Sequence, residues 1–238
     1  MKSLVYSFLF LLTTVLFSQQ NETVSSPSNR LYDNSYLNGA FNSFSNGKMI
    51  VNSHSKALGT PYLFKKWKYK NYIHLVNNSN DSKIVKLKTI NYNVELGKFV
   101  TKVKDNKVLY FDQNYFDYVI INNRRFELVN DYTTNTKKVA EIIGMINNKK
   151  LIKIYTFYIL KSQTSGYQAL SPKDKMKFKS KYYIYDDSTF LNIRIKKKTI
   201  LPFISHDVSK VLTFAKKNHF SFNNEKDLIK ILHFYNSL

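Results

Sequence analysis

Five lysines recur along one short stretch, Lys173, Lys175, Lys177, Lys179 and Lys181, with Met176, Phe178 and Tyr182 on the alternate positions between and after them. On an extended chain a period of two sends all five ammonium groups to one face. Such a row attracts anionic partners, among them acidic glycans, lipid head groups and nucleic acid. It also guards an edge strand against pairing with another chain, and this plainer duty is the first reading. A second basic cluster, Lys65, Lys66, Lys68 and Lys70, surrounds Trp67 and Tyr69. Interleaved cations and aromatics suit stacking on a sugar or base. Lysine stems covering a half-buried Trp67 explain the same pattern with less.

Other chemistry is thinly supplied. None of the histidines His54, His74, His206, His219 and His233 pairs at the i, i+4 spacing of a helical zinc site. His206 precedes Asp207, but consecutive residues on a helix diverge in direction. There is no Gly-x-Ser-x-Gly elbow for a nucleophile. Six glycines in the chain leave little material for a phosphate-cradling loop. Asp112 and Asp117 flank Tyr115 and Phe116, and two placed carboxylates are what glycoside hydrolysis needs. Turn or cap duty is the simpler assignment for both. The residues therefore point to no catalytic group, no cofactor and no metal. The candidate site is the anion-attracting row Lys173, Lys175, Lys177, Lys179 and Lys181.

The whole chain is basic, with 37 Lys and Arg against 16 Asp and Glu and a net charge of +21. Only Arg30, Arg124, Arg125 and Arg194 are arginines. Abundant Lys, Asn, Ile, Tyr and Phe with little Arg or Gly is also what A/T-rich codons produce. The charge has physical consequences whatever its origin. The chain has no cysteine, so disulfides, thiol chemistry and thiolate metal sites are excluded.

Lys2 precedes an apolar run over residues 4–17, interrupted only by Ser7, Thr13 and Thr14, and Ser18-Gln19-Gln20 follows. A basic head, a short apolar stretch and a small exit residue describe a secretory signal over residues 1–18. The run is short for a spanning helix, which needs about 20 apolar residues. Cleavage after Ser18 is expected, with Gln19 or Gln20 as alternatives because Leu16 is large. No transmembrane segment is expected after its removal. Export disfavours a genomic nucleic-acid role and leaves anionic lipid or glycan as partners.

The elements that must position the lysines follow. Residues 19–58 are rich in Ser and Asn and read as a flexible leader. Residues 59–198 read as an antiparallel β domain. Its β-branched and aromatic runs are punctuated at Asn77 to Asp81, Asp105-Asn106, Asn122-Asn123, Asn147-Asn148 and Asp186-Asp187. Asn and Asp tolerate the left-handed backbone of tight hairpins. Phase changes near Thr89-Ile90, which predicts a bulge or break. Residues 151–160, apolar or aromatic on both faces, predict a doubly covered central strand. Lys196-Lys197-Lys198 reads as a solvated link. Residues 199–238 change to helical period. Val208, Val211, Leu212 and Ala215 form one stripe, with Ser205 or Asp207 as cap and Asn218 as stop. Leu228, Ile231, Leu232 and Tyr235 form the other, capped by Asn224 with Asp227 three residues on. The fold class is α+β and β-rich: an antiparallel meander, half-barrel or barrel-like, followed by a two-helix hairpin packed on the sheet.

Gly59-Thr60-Pro61-Tyr62-Leu63-Phe64, with Trp67, and the tail from Lys217 through Asn223-Asn224-Glu225-Lys226-Asp227-Leu228-Ile229-Lys230-Ile231-Leu232 carry a resemblance. With the turn spacing between them, the chain resembles a group of small exported proteins of Bacteroidetes-type bacteria. The resemblance implies a Gram-negative periplasm or envelope. It brings no activity, cofactor or catalytic residue, and the Ser/Asn-rich leader departs from the group. The expected function is a non-enzymatic binding or structural protein contacting anionic envelope surfaces. A hydrolase of polysaccharide or peptide and an outer-membrane barrel are the alternatives. A barrel needs outward apolar bands on every strand, which the lysines interrupt.

Overall fold

A computed structural model describes residues 57–67, 71–76, 82–102, 108–111, 113, 116–162, 174–187 and 189–238. The signal segment, the leader up to residue 56, Lys68, Lys70, Asp112 and Lys173 lie outside the described residues.

Among the described residues eleven strands run in order: β1 Asn71–Val76, β2 Ser82–Leu87, β3 Asn91–Asn93, β4 Lys98–Lys102, β5 Val108–Tyr110, β6 Phe116–Ile121, β7 Arg124–Asp131, β8 Thr136–Ile146, β9 Lys149–Leu160, β10 Lys175–Tyr185 and β11 Phe190–Ile193. Eight form one sheet, ordered β11-β10-β9-β8-β7-β6-β1-β2, and β3-β4-β5 form a second. Every pairing between these strands is antiparallel. The meander holds from β6 to β11, and the large sheet is open, since β2 and β11 are edges rather than partners.

The turn chemistry accounts for much of this. Asn122 and Asn123 have φ of 53° and 60° between paired Ile121 and Arg124, the left-handed pair that a two-residue hairpin demands. Asn147, at φ 54°, turns β8 into β9. The expected break near Thr89-Ile90 is where β2 ends and β3 leaves for the small sheet. The turn between β7 and β8 has no Asn-Asn or Asp-Asn pair. Asp131 makes it instead, accepting the Thr133 amide at 3.0 Å and the Lys138 ammonium at 2.5 Å, while Asn135 takes φ 50°.

Three apolar regions hold the layers. The small sheet packs its rings on the large one: Phe99 lies 5.4 Å from Phe116 and 5.9 Å from Phe126, and Phe64 lies 6.1 Å from Phe126. The Pro61–Phe64 segment is stitched to β3, because Asn91 Nδ2 donates to the Phe64 carbonyl at 2.8 Å and Asn91 Oδ1 accepts the Phe64 amide at 3.1 Å. On the same face, further along the large sheet, Ile143, Ile146, Leu151 and Ile184 pack under the C-terminal helices. The opposite face carries a smaller cluster of Val129, Ala140, Ile152 and Tyr185.

The helices are α1 Lys197–Ile200, a 3-10 turn Leu201–Phe203, α2 Val208–Lys217 and α3 Glu225–Tyr235. Lys196, Lys197 and Lys198 are exposed as expected, and Lys197 and Lys198 open a short helix. Asn224 caps α3, its Oδ1 accepting from the Lys226 and Asp227 amides. Asp227 does not close a capping box but accepts the Ser221 amide at 3.1 Å. Asp207 stands at the α2 N-cap without capping it. Its backbone is left-handed and its carboxylate pairs with Lys210 at 2.8 Å. The pairing of β8 shifts register between Ile142 and Gly144. There α3 comes so close that a Cβ on Gly144 would lie 2.9 Å from Leu232 Cδ1. Among the described residues no helix is long and apolar enough to cross a membrane.

Candidate functional site

Pairing of β9 to β8 begins at Ile146–Lys149 and ends at Glu141–Lys153. Pairing of β9 to β10 continues, from Ile154 opposite Lys181 out to Leu160 opposite Lys175. Beyond Lys153 the hairpin is therefore, among the described strands, a two-stranded ribbon. This corrects the expectation of a doubly covered central strand over residues 151–160. Only Leu151 and Ile152 are fully buried; Tyr158 is 40% and Leu160 50% exposed. The apolar content reflects a ribbon with one sheltered side, because β8 turns away to follow β7.

The lysine row lies on this ribbon. Lys175, Lys177, Lys179 and Lys181 alternate with Met176, Phe178 and Ser180, and all four are exposed. They share a face with Ile154, Thr156, Tyr158 and Leu160 of β9, the residues directly opposite them. Lys179 Nζ sits 6.0 Å above the Tyr158 ring. None of the four makes an ion pair among the described residues. The neighbouring acid, Asp174, is already taken: Lys161 donates to it at 2.9 Å and the Ser162 amide at 3.0 Å, and these bonds hold its carboxyl below the usual range. The ribbon's two strands, residues 154–160 and 175–181, contain four cations and no acid.

The other edge of β10 explains how the row is held. β11 covers only Tyr182–Tyr185, and Leu58 bridges at Lys175, its amide donating to the Asp174 carbonyl and its carbonyl accepting from the Met176 amide. Between them Lys177–Lys181 has no paired strand on that side among the described residues.

The sheltered face of the same hairpin is a different environment. Arg124 of β7, Glu141 of β8, Lys153 and Tyr155 of β9 and Tyr182 of β10 meet Glu225 at the first turn of α3. Arg124 Nε and Nη2 donate to the two Glu141 oxygens at 2.5 Å each, and the Tyr155 hydroxyl donates to Glu141 at 2.6 Å. Lys153 donates to Glu225 at 2.7 Å and Tyr182 at 2.5 Å. The Arg124 guanidinium also lies 4.9 Å over the Phe64 ring, so the network spans the seam between the small sheet and the helices. Burial works against the Glu225 charge, but bonds from Lys153 and Tyr182 outweigh it and the carboxyl is lowered. Burial, then the adjacent Glu225, pushes the Tyr182 hydroxyl up; burial and Glu141 do the same to Tyr155. Two cations face two carboxylates, each already bonded to a cation and a tyrosine, so this seam acts as an electrostatic clasp.

The remaining sequence candidates are dispersed. His74 Nδ1 lies 3.0 Å from Asp117 and its ring stacks on Tyr118 at 4.8 Å. Asp117 thus has a histidine partner, while Asp112 lies outside the described residues. His206 contacts the Ser205 hydroxyl at 3.2 Å and the Tyr235 hydroxyl at 3.3 Å. Both hydroxyls donate to Asn147 Oδ1, and Asn147 Nδ2 donates to the Phe203 carbonyl, so a turn residue ties the sheet to the helices. Trp67 is half-buried as expected, but the lysine above it is Lys102, 4.7 Å from the ring centroid. Lys65 and Lys66 are exposed. Among the described residues no group of three His, Asp or Glu is arranged to hold a metal.

No protein-family model, curated protein or solved structure matches the chain.

Proposed function

We propose that this is an exported, non-enzymatic binding protein of a Gram-negative envelope, and that the β9–β10 ribbon is its contact surface for anionic envelope material. The observation that carries the reading is the row Lys175, Lys177, Lys179 and Lys181: exposed, on one face, and without an ion pair among the described residues. In a chain of net charge +21 such a surface concentrates anions and speeds encounter with them. Lys173 extends the row in sequence. Export rests on the basic head and apolar run of residues 1–18.

A hydrolase is the weaker reading. The two acids of the polar seam, buried Glu141 and half-buried Glu225, are both held by cations and tyrosines. The proposal is checked by sedimenting the protein with phosphatidylglycerol vesicles and by passing it over immobilised acidic polysaccharide, each across a salt gradient. Binding to at least one, weakening as salt rises, is expected. Equal retention at low and high salt, or no binding at low salt, would overturn it.

A further inference from the structure

We infer that the ribbon face binds a linear acidic polysaccharide, with acid groups along the lysines and a sugar ring on Tyr158; this rests on the anion-binding reading above. Two rails run side by side. On β10 the four lysines recur about every 6.6 Å along the strand, a line about 20 Å long. About 4.8 Å away, β9 presents Ile154, Thr156, Tyr158 and Leu160, which carry no charge. Tyr158 is directly opposite Lys177 and beneath Lys179, and its ring is 40% exposed. A ligand matched to this strip has charge along one edge and a flat, weakly polar face beside it. A chain of uronic-acid sugars has both, since its carboxylates project from the rings and the rings present C–H faces to an aromatic.

The shape argues against a membrane as the partner. Two-stranded ribbons twist more strongly than wide sheets, so successive side chains on one face rotate about the ribbon axis. A flat lipid surface can meet only part of such a row. A flexible linear polymer can follow all of it. Single-stranded nucleic acid would also follow the twist, but it gains from repeated stacking platforms. Here the uncharged rail offers one exposed ring, Tyr158, among aliphatic and hydroxyl side chains.

The test uses the full chain, an oligogalacturonate of about ten sugars, an uncharged glucan of equal length and phosphatidylglycerol vesicles. The chain should bind the oligogalacturonate in a salt-sensitive manner and ignore the glucan. The variant K175Q/K177Q/K179Q/K181Q should bind at least about tenfold more weakly and lose most of the salt dependence. Y158A should weaken binding about fivefold with the salt dependence unchanged, and Y158F should restore it. Unchanged affinity in Y158A, or equal binding of the glucan, overturns the glycan assignment. Vesicle binding that needs the same lysines, with no oligogalacturonate binding, overturns it too and leaves the anion-binding function standing. No binding to either anion at low salt overturns both.

Discussion

Lys153 and Lys181 stand on neighbouring rungs of the β9–β10 hairpin, on opposite faces, in opposite circumstances. Lys153 is 14% exposed and bonded to Glu225 across the sheet–helix seam. Lys181 is exposed and has no ion pair among the described residues. The same contrast separates the two regions as wholes. In the seam, Arg124 and Lys153 are matched by Glu141 and Glu225. On the ribbon, four lysines have no ion pair among the described residues. A chain with 37 basic and 16 acidic residues cannot neutralise every cation. Three of its acids, Glu141, Asp131 and Glu127, sit paired where burial would make an unpaired charge costly. Lys175, Lys177, Lys179 and Lys181 sit exposed, where water screens them.

The largest effect should come from breaking the seam. Arg124→Met leaves Glu141, 5% exposed, without its bidentate partner. Loss of one member of such a pair costs about 3 kcal/mol, read as a drop in the urea midpoint. The double variant Arg124→Met with Glu141→Leu should recover part of that loss, because no buried charge is then stranded. Equal stability of the single variant and the natural chain would mean that the seam is no clasp.

Gly144→Ala probes how tightly α3 sits on the bulge of β8. The added methyl would come 2.9 Å from Leu232 Cδ1 and 3.3 Å from Leu232 Cβ. Overpacking of this kind costs about 1–3 kcal/mol, measurable by thermal unfolding.

Titration sharpens the comparison further. Glu225 and Glu127 are lowered in the folded chain, despite burial, by bonds from Lys153 and Tyr182 and from Lys150 and Arg125. Their stabilisation is complete above the ordinary value of 4.5 and is lost as pH falls through the lowered one. Tyr155 and Tyr182 are raised by burial and by Glu141 and Glu225. Their stabilisation is complete below the ordinary value of 10.0 and is lost as pH rises beyond it. Stability should therefore fall at both extremes, and Glu225→Gln should flatten the acid limb. An acid limb unchanged in that variant would remove Glu225 from the clasp.

Much of the architecture is legible in local chemistry. Asn122-Asn123 and Asn147-Asn148 mark hairpins because few other residues tolerate positive φ. The stripe Leu228, Ile231, Leu232 and Tyr235 is buried against the sheet as its spacing requires. The alternation of Lys175 to Lys181 reads directly as one face of a strand. The seam is not legible, because Arg124–Glu141 and Lys153–Glu225 join residues distant in sequence and no local rule pairs them. The departure of β8 from β9 at Lys153 is hidden for a related reason. A run of apolar residues looks alike whether two neighbouring strands cover it or one. Asn147 reads as a turn residue, while its second role as the tie to Tyr235 and Phe203 depends wholly on tertiary structure.

The most direct test of the contrast compares K175Q/K177Q/K179Q/K181Q with the natural chain in one preparation, by urea unfolding and by binding to an anionic polysaccharide across salt. The account predicts stability within about 0.5 kcal/mol, since exposed substitutions away from packed or bonded features change little. It also predicts loss of most salt-sensitive binding. Undiminished binding in that variant would contradict it, because the anion would then be held elsewhere on the chain.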